Sequence, residues 1–461
     1  MKKAFYNRLA TVLLAGALAV AACGCNGNSS GNNKGGSGSK KDDGGSSGSE
    51  SKVSYYVPES TVGANGKDYK DYDPYSTAKD YKGKTVKFAT WIDHTGTEGG
   101  KPIQSFYDKY GIKVELVYCS QDNYAAEVLA LIASGNSPDV YVENGNFPTL
   151  LNIAQDFSVT GVDLNEPIWS QKYINACTIN NKVYAVNTVN TPWASGYITV
   201  YNRELMESNG IKTPAEYIDE NNWTWASLKE CAKQVDALGA NYKGIFYETN
   251  CMLASVGATS IKYDSKTSKF INNTSDPMLS KALQFLAEMR SEGMVGTQNA
   301  FVDGLVGFSI KPDYGLKKTG FYRNMDSMDL GVAPMPAFDN NTPAKPSAQL
   351  RGYGIVRGAK NPKAAGLFIR YYLDPANYDL SEAFISDEAV KYYYENLKFM
   401  NESSEDINFY FFGPNELVGS AYGALQGDDI NSPAQVSTTL ASLKNRVQNA
   451  VDKANETIAG K

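Results

Sequence analysis

Rings and polar side chains fall together wherever an apolar, β-branched run stops. Trp91, Asp93 and His94 close the run from Thr85, Glu143, Asn144 and Asn146 follow Val140 to Val142, and Tyr247 and Glu248 end the run from Lys243. Asp313 and Tyr314 come just after Gly304 to Ile310. Trp193, Ser195 and Tyr197 alternate through Thr191 to Arg203, so a strand there puts all three on one side. Arg351 and Tyr353 open another extended run, Arg351 to Arg357. Flat ring faces beside oriented carboxylates, amides and hydroxyls suit a carbohydrate, which is apolar on its ring faces and hydroxylated at its edges. The 31 Tyr and 5 Trp supply such rings, although most aromatics belong to the core.

The same inventory speaks against catalysis. His94 is the only histidine and has no obvious partner in its loop. Gly-x-Ser-x-Gly does not occur after Lys52, and no Gly-x-x-x-x-Gly-Lys-Ser/Thr loop is present to cradle a phosphate. Gly304 and Gly307 read as places of close backbone approach rather than a nucleotide loop. Cys119, Cys177, Cys231 and Cys251 lack the spacing of a zinc site, and buried thiols are as much expected as disulfides. No catalytic residue, metal or cofactor is assigned. A net charge of −6, more negative once a leader bearing Lys2, Lys3 and Arg8 is removed, argues against nucleic acid as a partner.

The elements that must hold these residues alternate between strand and helix. A strand from Thr85 to Trp91, a helix from about Pro102 to Tyr110, a strand from Val114 to Tyr118, a helix capped by Asp122 and a strand from Pro138 to Val142 follow in order. The second helix carries Ala125, Val128, Leu129 and Ile132 at helical spacing. This order implies a parallel sheet with helices on its faces and a ligand site beyond the carboxyl ends of the strands. Thr191 to Arg203 reads as a strand passing to a second region, with Ile198, Val200 and Tyr201 entering its core. That region holds a helix capped by Thr224, a strand from Lys243, a helix over 277–292 and a strand at Gly304 to Ile310. Trp223 and Trp225 flank the capped helix and read as structural. Arg351 to Arg357 crosses back, Asn361 to Leu373 forms a helix, the stretch 375–428 is mostly helical, and a capped amphipathic helix runs from about Pro433 to Ile458.

The N-terminus belongs to neither region. Lys2, Lys3 and Arg8 precede the apolar run Leu9 to Ala22, which has signal-peptide length and is too short for a stable span. The run ends Val20, Ala21, Ala22, Cys23, which resembles a bacterial lipobox with Cys23 as the acylated residue. Residues 23–52 are almost all Gly, Ser, Asn, Lys and Asp, a flexible tether; a coil of about 27 residues spans roughly 25 to 30 Å. Residues 53–84 form an irregular, Tyr-rich lead-in.

Seven motifs in order carry a family resemblance: Val86 to Trp91 with its helix, Ala133 to Tyr141, Lys182 to Val186, Ile198 to Glu204, Thr213-Pro214 with Trp223 to Trp225, Gly331 to Pro336, and Gly354 to Pro362. Together they resemble the extracellular solute-binding proteins of ABC importers, in the class typified by maltodextrin-binding proteins, over roughly Lys84 to the C-terminus. The resemblance implies an α/β, two-lobed periplasmic-binding-protein fold with a hinge, an interlobe cleft and three crossings, the third near residues 390–415. One lobe would hold 85–190 with about 355–400, the other about 200–350 with about 410–461. By position, the loops at Trp91 to His94, Glu143 to Asn146, Tyr247-Glu248 and Lys311 to Tyr314 match loops that touch ligand in the family. Glu143 stands where the maltodextrin-binding relatives have an aromatic ring.

The expected protein is therefore a monomeric, lipid-anchored receptor on the outer face of a bacterial cytoplasmic membrane. It would capture an oligosaccharide and deliver it to the transmembrane subunits of an ABC permease. A receptor for a peptide or polyamine is the alternative within binding proteins. Since a glycosidase needs only two carboxylates, a lipid-anchored polysaccharide hydrolase, or an adhesin, is the alternative from another class.

Overall fold

The computed structural model describes residues 60–94, 99–143, 149–191, 196–264, 266–325, 329–348, 351–378, 383–403, 408–409 and 430–460. Cys23, the tether, Asn144, Asn146, Trp193 and Ser195 lie outside these residues, as does most of 404–429.

In chain order the two main sheets receive β1 (Thr85–Thr90), β2 (Lys113–Tyr118), β3 (Val140–Glu143) and β4 (Ala154–Gln155), then β5 (Tyr197–Asn202), β6 (Lys243–Tyr247), β7 (Val306–Pro312), β8 (Leu330–Ala333) and β9 (Gly352–Val356). The first sheet has the order β2-β1-β3-β9-β4, with β1 parallel to β2 and β3, and β9 antiparallel to β3 and β4. The second has the order β8-β5-β7-β6, with β7 parallel to β6 and antiparallel to β5. The parallel sheet expected from the strand–helix alternation is there. The returning strand does more than cross: β9 pairs along β3 inside the first sheet.

The helices follow local signals in most places. α1 (Gly100–Tyr110) begins two residues before Pro102, as the first turn tolerates a residue without an N–H, and stops where Gly111 takes φ 66°. α2 (Tyr124–Ala133) is not capped by Asp122: its N-cap is Asn123, whose side chain makes no capping bond. α3 (Gln171–Ala176) follows Ser170, and α4 (Trp225–Asp236) follows Thr224, whose N–H donates to Ser227 Oγ at 2.8 Å while its hydroxyl accepts from Ser227 N at 3.2 Å. That reciprocal pair satisfies two donors at the helix start. α5 (Thr249–Ser255) comes after β6, and α6 (Pro277–Ser291), capped by Asp276, buries Leu279, Ala282, Leu283 and Leu286. Phe285 beside them is only partly buried, against Trp225. α7 (Pro362–Tyr372) and α8 (Asp387–Glu402) precede α9 (Gln435–Ile458). α9 has no side-chain cap at Ala434; the Gln435 carboxamide accepts from Asn431 N and Ser432 N instead.

Two apolar clusters result. One begins with Phe88, Val140 and Tyr353 of the first sheet and Phe368 and Tyr372 of α7, and runs through Tyr393 and Leu397 of α8 to Ile198 and Val200 of the second sheet. The other packs Tyr201, Ile245, Tyr247, Phe308 and Ile310 against α4, α5 and α6. The second sheet is thus covered on both faces, and Ile198, Val200 and Tyr201 are core residues, with Tyr201 on the opposite face from the other two. Cys119, Cys177, Cys231 and Cys251 are all free, buried thiols.

α8 bonds to the second sheet at one end and to the segments around 170 and 189 at the other. Near its start Glu388 pairs with Arg203 and accepts from Val332 N; near its end Asn401 accepts from Ser170 Oγ at 2.9 Å and donates to Val189 O at 2.9 Å.

Glycines fill the tightest approaches. A Cβ on Gly307 would lie 2.8 Å from Val235 Cγ2, whereas Gly304 is required for its φ of +78° and not for closeness. A Cβ on Gly354 of β9 would fall 2.2 Å from Tyr184 O and 2.4 Å from Tyr141 Cε1. Gly354→Ala is expected to lower stability by about 1–3 kcal/mol, the usual cost of overpacking a well-filled core. A fall in the urea midpoint at unchanged slope would show it; an unchanged midpoint would mean that both the Tyr184 backbone and the Tyr141 ring give way without cost.

Candidate functional site

The strand pairings decide which loops meet. In the first sheet β9 runs antiparallel to β3, with Glu143 opposite Gly352, so the end of β3 and the start of β9 share one rim. Arg351 therefore joins the loop after β1 on that rim. In the second sheet β5 runs antiparallel to β7, with Tyr197 opposite Pro312, so the crossing segment enters beside Asp313 and Tyr314. The Asp313 N–H donates to Gly196 O at 2.7 Å, and Asn396 of α8 donates to Asp313 Oδ2 at 3.4 Å.

The two rims touch. The Arg351 guanidinium lies over the Tyr314 ring, 5.3 Å from its centroid, and the two residues flank strands of different sheets, β9 and β7. Asp313 is fully buried, and burial raises its carboxyl well above the usual carboxylate range, against the opposing pull of Lys317, one helical turn on, and of Arg351. Burial lowers the Lys317 ammonium in turn, partly offset by Asp313. Tyr173 of α3 is fully enclosed within the fields of Asp313 and Arg351, and burial raises its phenol. Asp313 Oδ1 and Arg351 Nε are both shielded from solvent and have no hydrogen-bond partner among the described residues.

Other expected residues take different places. Trp91 is half-buried, edge-on to Tyr124 at 4.8 Å, and Asp93 is exposed at the same rim. His94 turns inward, 2% exposed, with Nε2 3.4 Å from Thr90 Oγ1 and its ring 5.8 Å and 5.9 Å from Phe88 and Tyr372. Glu143 is fully buried at the end of β3. Glu248 pairs with Lys311 at 2.6 Å.

Three tyrosines expected to face ligand belong to the core. Tyr197 points from β5 into the cluster under α4 to α6, because alternation puts it on the same face as Tyr201. Tyr247 donates to Leu286 O at 3.2 Å beneath Arg290. Tyr353 packs 6.1 Å from Phe88 and 5.5 Å from Tyr372. Lys317, Asn396 and Tyr173 were not anticipated. Lys317 had a signal, its place one turn beyond Asp313, whereas Asn396 and Tyr173 arrive through helix packing that no local pattern encodes.

Among the described residues no group of three or more His, Cys, Asp or Glu side chains could hold a metal, and no helix is long and apolar enough to cross a membrane. A cavity of about 430 Å³ lined by Asn202, Glu204, Asp303 and Asp329 lies at the opposite end of β5 from Asp313. Neither partnerless atom, Asp313 Oδ1 or Arg351 Nε, belongs to it.

Residues 82–379 match the family of bacterial extracellular solute-binding proteins. The chain belongs to that family. No curated protein matches the sequence. Among solved structures, the sugar-binding protein MalE from Xanthomonas citri superposes with a TM-score of 0.61 at 14% identity, over 82% of this chain and 100% of that one. The galacto-N-biose/lacto-N-biose I-binding protein of the ABC transporter from Bifidobacterium longum, in complex with lacto-N-biose, gives 0.60 at 13% identity over 80% and 98%. The cyclic α-maltosyl-1,6-maltose binding protein from Arthrobacter globiformis gives 0.61 at 13% identity over 80% and 99%. At such identities the likeness concerns the fold, the two-lobed α/β architecture of solute-binding proteins.

His94 gives this rim a pH dependence. Burial lowers its pKa from 6.5 to about 4, against the opposing effect of Asp93. Between these values the unfolded chain takes up a proton that the folded chain refuses, so stability falls as pH drops through the window, by on the order of 3 kcal/mol in full. His94→Gln is expected to flatten the fall in melting temperature between pH 6.5 and 4; an identical slope would show that His94 does not titrate this way.

Proposed function

We propose that the chain is the substrate-binding component of an ABC importer, a lipid-anchored receptor that takes an oligosaccharide between its lobes and passes it to the permease. The observation that carries this reading is the meeting of the rims: Arg351, flanking β9 of the first sheet, lies on Tyr314, flanking β7 of the second, beside the buried Asp313. A solute held there touches both lobes, and contacts from both sides favour a closed form over an open one. The half-buried Trp91 and Tyr314 supply ring faces for stacking, and Asp93, Glu143, Asp313 and Asn396 supply polar groups. The descriptions of the three similar structures, all sugar binders, support the choice of solute class.

We place the lobes at 85–190 with about 355–400 and at about 200–350 with about 410–461, with α8 between them. Asn144, Asn146, Trp193 and Ser195 remain proposed ligand contacts, and Cys23 the proposed acylation site, anchoring the protein at the outer face of the membrane. No catalytic step is proposed.

A thermal-shift survey of oligosaccharides, amino acids, peptides and polyamines tests the reading. Ligand at 100 times its Kd stabilises the folded state by about 2.7 kcal/mol, so at least one oligosaccharide is expected to raise the melting temperature. A rise with a peptide or polyamine and with no saccharide would remove the sugar assignment, and release of shorter products from a glycan would replace a receptor with a hydrolase.

A further inference from the structure

The arginines of this chain are not used alike. Arg370, buried in the first lobe, donates to Glu166 at 2.5 Å and 3.1 Å and to Asp374 at 2.7 Å. Arg203 pairs with Glu388, Arg290 donates to Thr249 Oγ1 and Ile430 O, and Arg357 donates to Leu151 O. Arg351 differs. Among the described residues its guanidinium donates no hydrogen bond and forms no ion pair; one face rests on Tyr314, and Nε is closed off from solvent.

A guanidinium stays charged at any pH the protein meets and offers five donors in one plane. Stacking on a ring covers a face and leaves those in-plane donors available. A half-buried cation without an acceptor is costly unless something else completes it. The carboxylates nearby do not. Glu248 is held by Lys311 at 2.6 Å. Asp313 is approached by Asn396 and by Lys317, and burial already favours its protonated form. Glu143 ends the neighbouring strand, opposite Gly352, without pairing with Arg351. Arg351 is thus left without a carboxylate partner among the described residues, where the two rims meet.

We propose that the solute taken by this cleft is an acidic oligosaccharide, one bearing a uronate carboxylate, and that Arg351 receives that carboxylate through two parallel N–H donors while Tyr314 braces the guanidinium. This rests on the reading of the chain as a sugar receptor. A neutral sugar would bring only hydroxyls to a cation that lacks a counter-ion, whereas a carboxylate supplies both charge and matching fork geometry.

The test is calorimetric titration of the full mature chain with galacturonate, glucuronate and mannuronate di- to tetrasaccharides, each beside its methyl ester, and with maltooligosaccharides. The ester keeps the ring, the linkage and the size and removes the charge. At least one acid is expected to bind about 100-fold more tightly than its ester, with an advantage that shrinks as salt is raised. Arg351→Gln should weaken binding of the acid far more than binding of the ester and so erase that advantage, and Arg351→Lys should restore only part of it, since a lysine cannot present the fork. Melting temperatures of the variants, measured without ligand, separate a lost contact from a lost fold. Equal binding of acid and ester, binding of maltooligosaccharides alone, or equal loss of both ligands in Arg351→Gln would overturn the acidic-ligand proposal and leave the sugar receptor standing. Binding of no saccharide of any kind would overturn both.

Discussion

A missing Cβ lets the two lobes meet. At Gly196 the chain passes so close to α8 and to the turn after β7 that a methyl group would sit 2.1 Å from Asn396 Nδ2 and 3.1 Å from Asp313 Oδ2. The Gly196 carbonyl accepts from Asp313 N, and Tyr393 of α8 donates to the carbonyl of Thr191 on the first-lobe side of the same crossing. Crossing segment, bridging helix and second-lobe rim are thereby locked around one polar cluster, and any larger residue at 196 would push Asn396 away from the carboxylate.

That cluster stands apart from the polar groups that hold the lobes themselves together. Arg370 and Glu166, with Asp374, form a closed set in which each charge has a partner, and such a set fixes α7 against the loop before α3. At the rim, by contrast, a carboxylate and an ammonium are forced toward neutrality by burial and a guanidinium rests on a ring without an acceptor. Structural ion pairs satisfy one another internally, while a binding surface leaves donors and acceptors for what enters. α8 adds a constraint on movement, since its start bonds to the second sheet and its end to the Val189 carbonyl, ahead of the crossing. If the lobes rotate about the crossings, the helix can follow one of them only by releasing bonds to the other.

Much of this arrangement was legible in the chain. The strand–helix alternation over residues 85–143, the Thr224 cap and the helix over 277–292 are local signals, and the structure follows them. The cluster of polar residues at strand ends was also readable, since parallel pairing sends β1, β2 and β3 to one rim. The inward turn of Tyr197, Tyr247 and Tyr353 was not. Alternation identifies a cleft-facing residue only when one face of a strand is open, and β5, β6 and β9 are covered on both sides.

The chain by itself determined its elements, its family and the loops that carry polar groups, because these depend on spacing within a few residues. Tertiary structure decided which of those groups meet. Arg351 and Tyr314 stand 37 positions apart in the sequence and beside strands of different sheets, and they touch because β9 turns back antiparallel to β3 while β5 enters antiparallel to β7. His94 became a core residue and Asn396 a partner of Asp313 for the same reason. The register of distant strands and the packing of α8 across them set these contacts, and neither is written in any single stretch of the chain.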